Sequence, residues 1–375
     1  RLVRVPEHWD AIRLLACPWE SPLRESMAEL PTKRRRLDAD STLSQDPAGR
    51  LRELLRRDGC HVVPGCYDCI TAKAIQEAGF DVCFMSGYAV SASRLGMPDV
   101  GLCTYSEMLE SATNICRCIG DQVCVIGDGD TGYGGLSNLR RTVEGYARSG
   151  LAGISIEDQV FPKRCAYAKG MEVVPRDEAE TRLRAALLAR DELRARTGLD
   201  LVVVGRTDAR RAVTPEGGAE GDAAALEEAL CRCEAFERLG ADIVYAEGLR
   251  SREEMRALHA RLRRGTPTML AQVEGGADGK VLSAAVAGDL GFKLCLFGVT
   301  MLNAALCAAR RVARQIASGD SHPEVGRHLL PFKELYASVG FDEVYAWEAR
   351  AREPAPSRGG KDDGPSAQDR VGNCL

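Results

Sequence analysis

Between about residue 60 and residue 300, short apolar runs rich in β-branched residues alternate with longer amphipathic stretches of Ala, Leu, Glu and Arg. The runs are HVVPG (61–65), DVCFMSG (81–87), QVCVIGD (122–128), GISIED (153–158), LVVVGRTD (201–208), DIVYAEG (242–248), PTMLAQV (267–273) and FKLCLFG (292–298). Their near-continuous apolar character predicts strands buried on both faces. Between them, Leu183, Ala186, Leu187 and Leu193 put one apolar face on a helix over 178–197, and 223–239 and 303–318 read the same way. Repeated β–α alternation demands crossover connections and hence a parallel sheet. Eight repeats predict an α/β fold, a closed TIM-type (β/α)8 barrel with a C-terminal helical extension. No G-x-G-x-x-G follows the first run, which counts against a dinucleotide-binding sheet.

The ends read differently. Residues 1–46 mix charges and prolines without a sustained period and are expected to form a poorly ordered extension. Starting at Arg1 rather than Met, the chain reads as a fragment or a processed form. Lys33-Arg34-Arg35-Arg36 reads as a solvated charge run, with a targeting segment as the alternative. The barrel and its C-terminal helices are assigned to 47–349. Residues 350–375 have the Pro, Gly and Ser content of a disordered tail.

Composition narrows the function classes. A net charge of −4 gives no electrostatic reason to expect nucleic acid or an anionic membrane as partner, and no apolar run is long enough to span a bilayer. Fifteen cysteines, an odd number, several of them inside strand-like runs, read as small hydrophobes in a reduced intracellular compartment, whether cytoplasmic or organellar. With five histidines, none at zinc-ligand spacing from the cysteine pairs, packing is preferred to zinc.

Active sites of such barrels form at the C-terminal strand ends, and here those ends are polar. They read Ser86-Gly87-Tyr88, Asp128-Gly129-Asp130, Glu157-Asp158-Gln159, Arg206-Thr207-Asp208, Glu247-Gly248 and Gln272-Val273-Glu274. An Asp or Glu after a strand can simply cap the next helix, which is the alternative for Asp158 and Asp208. Several carboxylates in one mouth, however, repel unless protonated, paired or bound to a cation. Oxygen ligands with little histidine select a hard cation, Mg2+ or Mn2+. Asp128 and Asp130, two apart on a segment read as extended, are expected to point the same way. In the loop after the fourth run, Cys165 follows Lys163 and Arg164, cations that favour its thiolate.

At these residues the sequence resembles the isocitrate lyase/phosphoenolpyruvate mutase superfamily, nearest its methylisocitrate and dimethylmalate lyase branch, with the carboxyvinyl-carboxyphosphonate phosphorylmutase-like proteins alongside. The motifs are PGCYDCITAKAIQEAGFD, FMSGYAVSASRLGMPDVG, GDGDTGYG, EDQVFPKRC, GRTDA and VEGG, in that order from about Leu51 to Ser318. The resemblance implies a Mg2+-dependent homotetramer that exchanges C-terminal helices. It places the metal on Asp128, Asp130 and Glu157 with Asp99 nearby. It places a 2-oxo acid on Ser86, Gly87, Tyr88 and Arg206, with Glu247 and Gln272 at the pocket, and gives Cys165 and Lys163 catalytic roles on a closing loop. The implied reaction is C–C cleavage of a 2-hydroxy di- or tricarboxylate to a 2-oxo acid and a carboxylate. Hydrolysis or decarboxylation of oxaloacetate, phosphonate chemistry and oxo-acid binding without turnover are the alternatives. The loop reads Cys165-Ala166-Tyr167 where the lyases carry Cys-Gly-His, and Gln272 stands where many members have Asn.

Overall fold

All eight apolar runs form strands in the computed structural model, which describes residues 46–165, 170–212, 218–274, 281–319, 326 and 329–353. They are β1 (His61–Cys66), β2 (Val82–Met85), β3 (Cys124–Asp128), β4 (Gly153–Glu157), β5 (Val202–Thr207), β6 (Ile243–Ala246), β7 (Thr268–Ala271) and β8 (Leu294–Phe297). Each pairs in parallel with the next, and β8 closes onto β1. Strand period two sorts the side chains. Phe84, Ile126, Val204, Tyr245 and Met269 fill the barrel, while Cys83, Val125, Ile154 and Val203 turn outward under the helices. Each such burial stabilises by about 1.5–3 kcal/mol.

The surrounding helices are α1 (Pro47–Arg56), α2 (Cys69–Glu77), α3 (Gly87–Leu95), α4 (Tyr105–Ile119), α5 (Leu136–Ser149), α6 (Arg176–Thr197), α7 (Ala209–Ala212), α8 (Gly218–Leu239), α9 (Arg252–Arg261) and α10 (Ala284–Asp289), and α11 (Thr300–Ala317) follows β8 in the chain. Helix α1 is one the sequence pattern did not give. Asp46 caps it by accepting from Gly49 N–H at 3.0 Å, and Ala48, Leu51, Leu54 and Leu55 pack among the barrel-interior residues. That face was hidden because charged residues separate its members in a helix of only ten residues. Cys66, Cys83, Cys124 and Cys295 are buried in the core, as small apolar side chains would be.

The chain divides into two units, up to Asn303 and from Ala304. In the second, α12 (Phe332–Ser338) and α13 (Phe341–Arg352) pack together, with Tyr336 stacked on Phe341 at 4.2 Å between ring centroids. Among the described residues, no helix is long and apolar enough to cross a membrane.

Candidate active site

The period that fills the barrel also builds its mouth. Two residues beyond the interior side chains Ile126, Ser155, Val204 and Tyr245 come Asp128, Glu157, Arg206 and Glu247, so these four share the interior face at the C-terminal strand ends. Register places Glu157 opposite Arg206. The Arg206 guanidinium lies 2.9 Å from Asp208, 3.4 Å from Glu157, 3.7 Å from Asp128 and 3.9 Å from Glu247, over the Tyr245 ring. Glu247 is further held by the Tyr245 hydroxyl and by Arg211 Nε at 3.3 Å.

Asp130 corrects the sequence reading in one respect. It is not extended but left-handed, at φ 47°, and the turn is fixed by Glu157 N–H donating to its carbonyl at 3.0 Å. Gly132, at φ 94°, continues the turn in a conformation that favours glycine. The two aspartates nevertheless converge over Gly87: a Cβ there would meet Asp128 Oδ2 at 3.3 Å and Asp130 Oδ1 at 3.4 Å. From the loop after β4, the buried Lys163 ammonium reaches in, 2.6 Å from Asp99 and 3.2 Å from Asp130. Of the two cations expected to favour the Cys165 thiolate, Lys163 is thus held by two carboxylates.

The remaining expected residues divide. Ser86 caps α3 through its hydroxyl, its N–H donates to Cys66 O at 3.0 Å, and Gly87 N–H donates to Asp128 Oδ2 at 2.8 Å. The Ser86 and Gly87 amides are therefore both engaged within the protein, and an incoming anion must displace Asp128 from Gly87. Tyr88, in the first turn of α3, is exposed. Cys165 is half-buried and outside any disulfide, while Ala166 and Tyr167 lie outside the described residues. Gln272 does not face the mouth. It follows the inward Ala271, so alternation turns it outward. Its amide donates to Leu282 O at 3.0 Å and to Cys295 Sγ at 2.9 Å and accepts from Leu282 N–H at 2.6 Å. Gln272 pins the chain after β7 rather than lining a substrate pocket.

Sequence reasoning missed Tyr245 and Ser155. The first was legible, since it lies two residues from an inward charge. Asp208, for which capping was the alternative to a place at the mouth, is the nearest partner of Arg206. Ser155 Oγ is buried without a hydrogen bond. Asp158, by contrast, points away from the mouth, to Arg232 at 2.9 Å, Thr207 Oγ1 at 2.6 Å and Asp208 N–H at 2.9 Å.

The electrostatics favour a cation. Among the described residues, Asp99, Asp128, Asp130, Glu157, Asp208 and Glu247 pair with three positive groups, Lys163, Arg206 and Arg211. Burial pushes the Asp128 carboxyl up to about 6, against the pull of Arg206 and Lys163. Burial likewise raises Asp130, and Glu157 well above the carboxylate range. Lys163 and Arg206 stay protonated, because their carboxylates outweigh the burial that alone would lower them. Glu157 Oε1 is buried without a hydrogen bond and so has oxygen capacity to spare, while Asp130 Oδ1 is paired with Lys163. Among the described residues no three acidic, His or Cys side chains form a ready-made cage. The donors at the mouth are oxygens, the ligand type a hard cation such as Mg2+ takes. The donor set therefore fits such an ion.

Comparison with known proteins agrees with this geometry. The profile of the phosphoenolpyruvate phosphomutase family matches residues 51–317. The chain is 34% identical to 2,3-dimethylmalate lyase of Eubacterium barkeri over 297 residues, covering 79% of this chain and 95% of that protein. It is 32% identical to 2-methylisocitrate lyase of Aeropyrum pernix, over 81% of this chain and 91% of the relative. The solved structure of oxaloacetate acetylhydrolase with 3,3-difluorooxalacetate superimposes at a TM-score of 0.72 and 32% identity, over 83% and 99% of the two chains. The barrel, the ordered strand-end motifs and these matches agree: the chain belongs to the phosphoenolpyruvate phosphomutase family, within the isocitrate lyase/phosphoenolpyruvate mutase superfamily.

Proposed function

We propose that this enzyme is a Mg2+-dependent lyase that cleaves a 2-hydroxy di- or tricarboxylate to a 2-oxo acid and a carboxylate. One observation carries the reading: Asp128 and Glu157 flank the buried Arg206 at the barrel mouth, with Asp130 meeting Asp128 over Gly87. The relatives named as lyases of dimethylmalate and methylisocitrate support it. Asp128, Asp130 and Glu157 would hold the ion, with Asp99 behind Lys163. When bound, Mg2+ would lower the pKa of the substrate hydroxyl and stabilise the oxygen of the forming 2-oxo acid.

This chain's residues supply the rest. Arg206 would hold the C1 carboxylate by charge-assisted hydrogen bonds. The α3 N-terminus, through Gly87 and Tyr88 N–H, would hold the same group once Asp128 releases Gly87. The 2-hydroxyl gives its proton to a carboxylate of the mouth, and the C2–C3 bond breaks. Its electron pair passes to C3, delocalised into the adjoining carboxylate, and Cys165 Sγ then protonates C3. Lys163, gripping Asp99 and Asp130, would hold the Cys165 loop over the mouth and exclude water.

A second reading, hydrolysis of oxaloacetate, is favoured by the similarity to oxaloacetate acetylhydrolase. A coupled assay for 2-oxo-acid release from methylisocitrate, isocitrate, dimethylmalate and oxaloacetate, with Mg2+ and with EDTA, tests the proposal. Release from a 2-hydroxy acid that EDTA abolishes supports it; turnover of oxaloacetate alone replaces it with the second reading. A homotetramer with exchanged C-terminal helices is also proposed, supported by Phe332 and Trp347, which the single chain leaves 78% and 62% exposed. Sedimentation of the full chain measures this.

A further inference from the structure

Beside the mouth lies a second concavity of about 280 Å3, between the start of α4, the turn after β3, the first turns of α5 and the loop after β4. It is small beside the ~300–1,000 Å3 of most ligand sites, a size for a small metabolite rather than a nucleotide. At its rim the Arg141 guanidinium lies over the Tyr105 ring at 4.6 Å, and among the described residues no carboxylate pairs with it. Asn138 lies one turn away on the same helix, and Phe161 adds an exposed ring. At the inner end are Lys163 and Thr131; Thr131 is 2% exposed and its Oγ1 has no hydrogen-bond partner. Asp130 also lines the concavity, so the Lys163–Asp130 ion pair is common to it and to the mouth, while Arg141 and Arg206 are separate cations.

We propose that this concavity binds a small organic carboxylate through Arg141, with the hydrocarbon part against Tyr105 and Phe161 and polar groups reaching Asn138 and Thr131. Guanidinium provides a planar fork of donors for a carboxylate. The aromatic rings select an organic anion over a bare inorganic one. The carboxylate could belong to a separate metabolite or to a distal arm of the reacting molecule. Phe161 and Lys163 belong to the segment that carries Cys165, so an occupant would touch the base of that loop. The inference rests on the concavity alone, not on the proposed reaction.

The test is isothermal titration of the full-length protein with succinate, and separately with inorganic phosphate. Wild type is compared with Arg141→Ala and Arg141→Lys, each checked for unchanged thermal unfolding. Succinate is expected to bind wild type more tightly than phosphate does. Arg141→Ala should weaken succinate about tenfold or more, with Arg141→Lys between. Repeating the titration with 3,3-difluorooxalacetate present separates the sources. Unchanged succinate binding identifies a separate metabolite, and competition that Arg141→Ala relieves identifies a distal arm. No succinate binding, or affinity unchanged by Arg141→Ala, would overturn the proposal.

Discussion

Asp128 offers the sharpest perturbation. Its carboxyl moves from 3.8 to about 6 on folding, chiefly by burial. At about 1.36 kcal/mol for each tenfold change in proton affinity, that corresponds to roughly 3 kcal/mol. The sign follows from linkage: a raised folded pKa means the folded state binds more protons than the unfolded between about 4 and 6. This contribution is therefore neutral below about 4 and destabilises increasingly as pH rises towards 6, after which it is constant. Mg2+ binds the ionised form, so its affinity should rise about tenfold per pH unit up to about 6 and then level. Asp128→Asn removes the charge while leaving an oxygen to accept from Gly87 N–H. At pH 7.5 in EDTA this variant should be more stable than wild type by up to roughly 3 kcal/mol, or about 6 °C in Tm. It should also lose the Mg2+-induced shift expected of wild type. The assay is thermal unfolding by circular dichroism from pH 4.5 to 8, with EDTA or with Mg2+. An Asn variant that melts below wild type in EDTA at pH 7.5 would refute the reasoning, as would one that keeps the Mg2+ shift.

Other consequences are as specific. Cys165→Ser should lower kcat about 10²–10⁴-fold in a steady-state assay while leaving Mg2+ affinity unchanged; full activity would remove the thiol from the proton transfer. Gln272→Ala should cost about 1–3 kcal/mol of stability in urea unfolding, since it strips the partners of Leu282, but should leave KM unaltered. A large rise in KM without loss of stability would return Gln272 to the substrate pocket. Arg232→Met should destabilise by about 3–5 kcal/mol in the same urea experiment, because Asp158, 1% exposed, would lose its buried cation.

The sequence displayed the strands well, because a run buried on both faces is apolar at nearly every position whatever its context. It also displayed the mouth: a carboxylate or guanidinium immediately after such a run can only sit at a strand end. It was weaker where direction matters. Gln272 and Glu247 each follow an apolar run, and only the register, with Ala271 and Tyr245 facing inward, turns one out and the other in. The left-handed turn at Asp130 depends on a bond to Glu157 N–H from another strand, which no local pattern encodes. Lys163 looked like a neighbour of Cys165 because it is one in sequence, whereas tertiary structure pairs it with Asp99, 64 positions earlier. Helix α1 escaped because a helix of ten residues shows too few turns for its period to emerge among charges.

The central claim is that this mouth breaks a C–C bond of a 2-hydroxy acid and hands a proton to the departing carbon. Product analysis by NMR in D2O, with Mg2+ and the panel of 2-hydroxy acids and oxaloacetate, measures it directly. The account predicts equal amounts of a 2-oxo acid and a carboxylate, the latter carrying one deuterium at the former C3. Oxalate and acetate from oxaloacetate, with every 2-hydroxy acid intact, would contradict it.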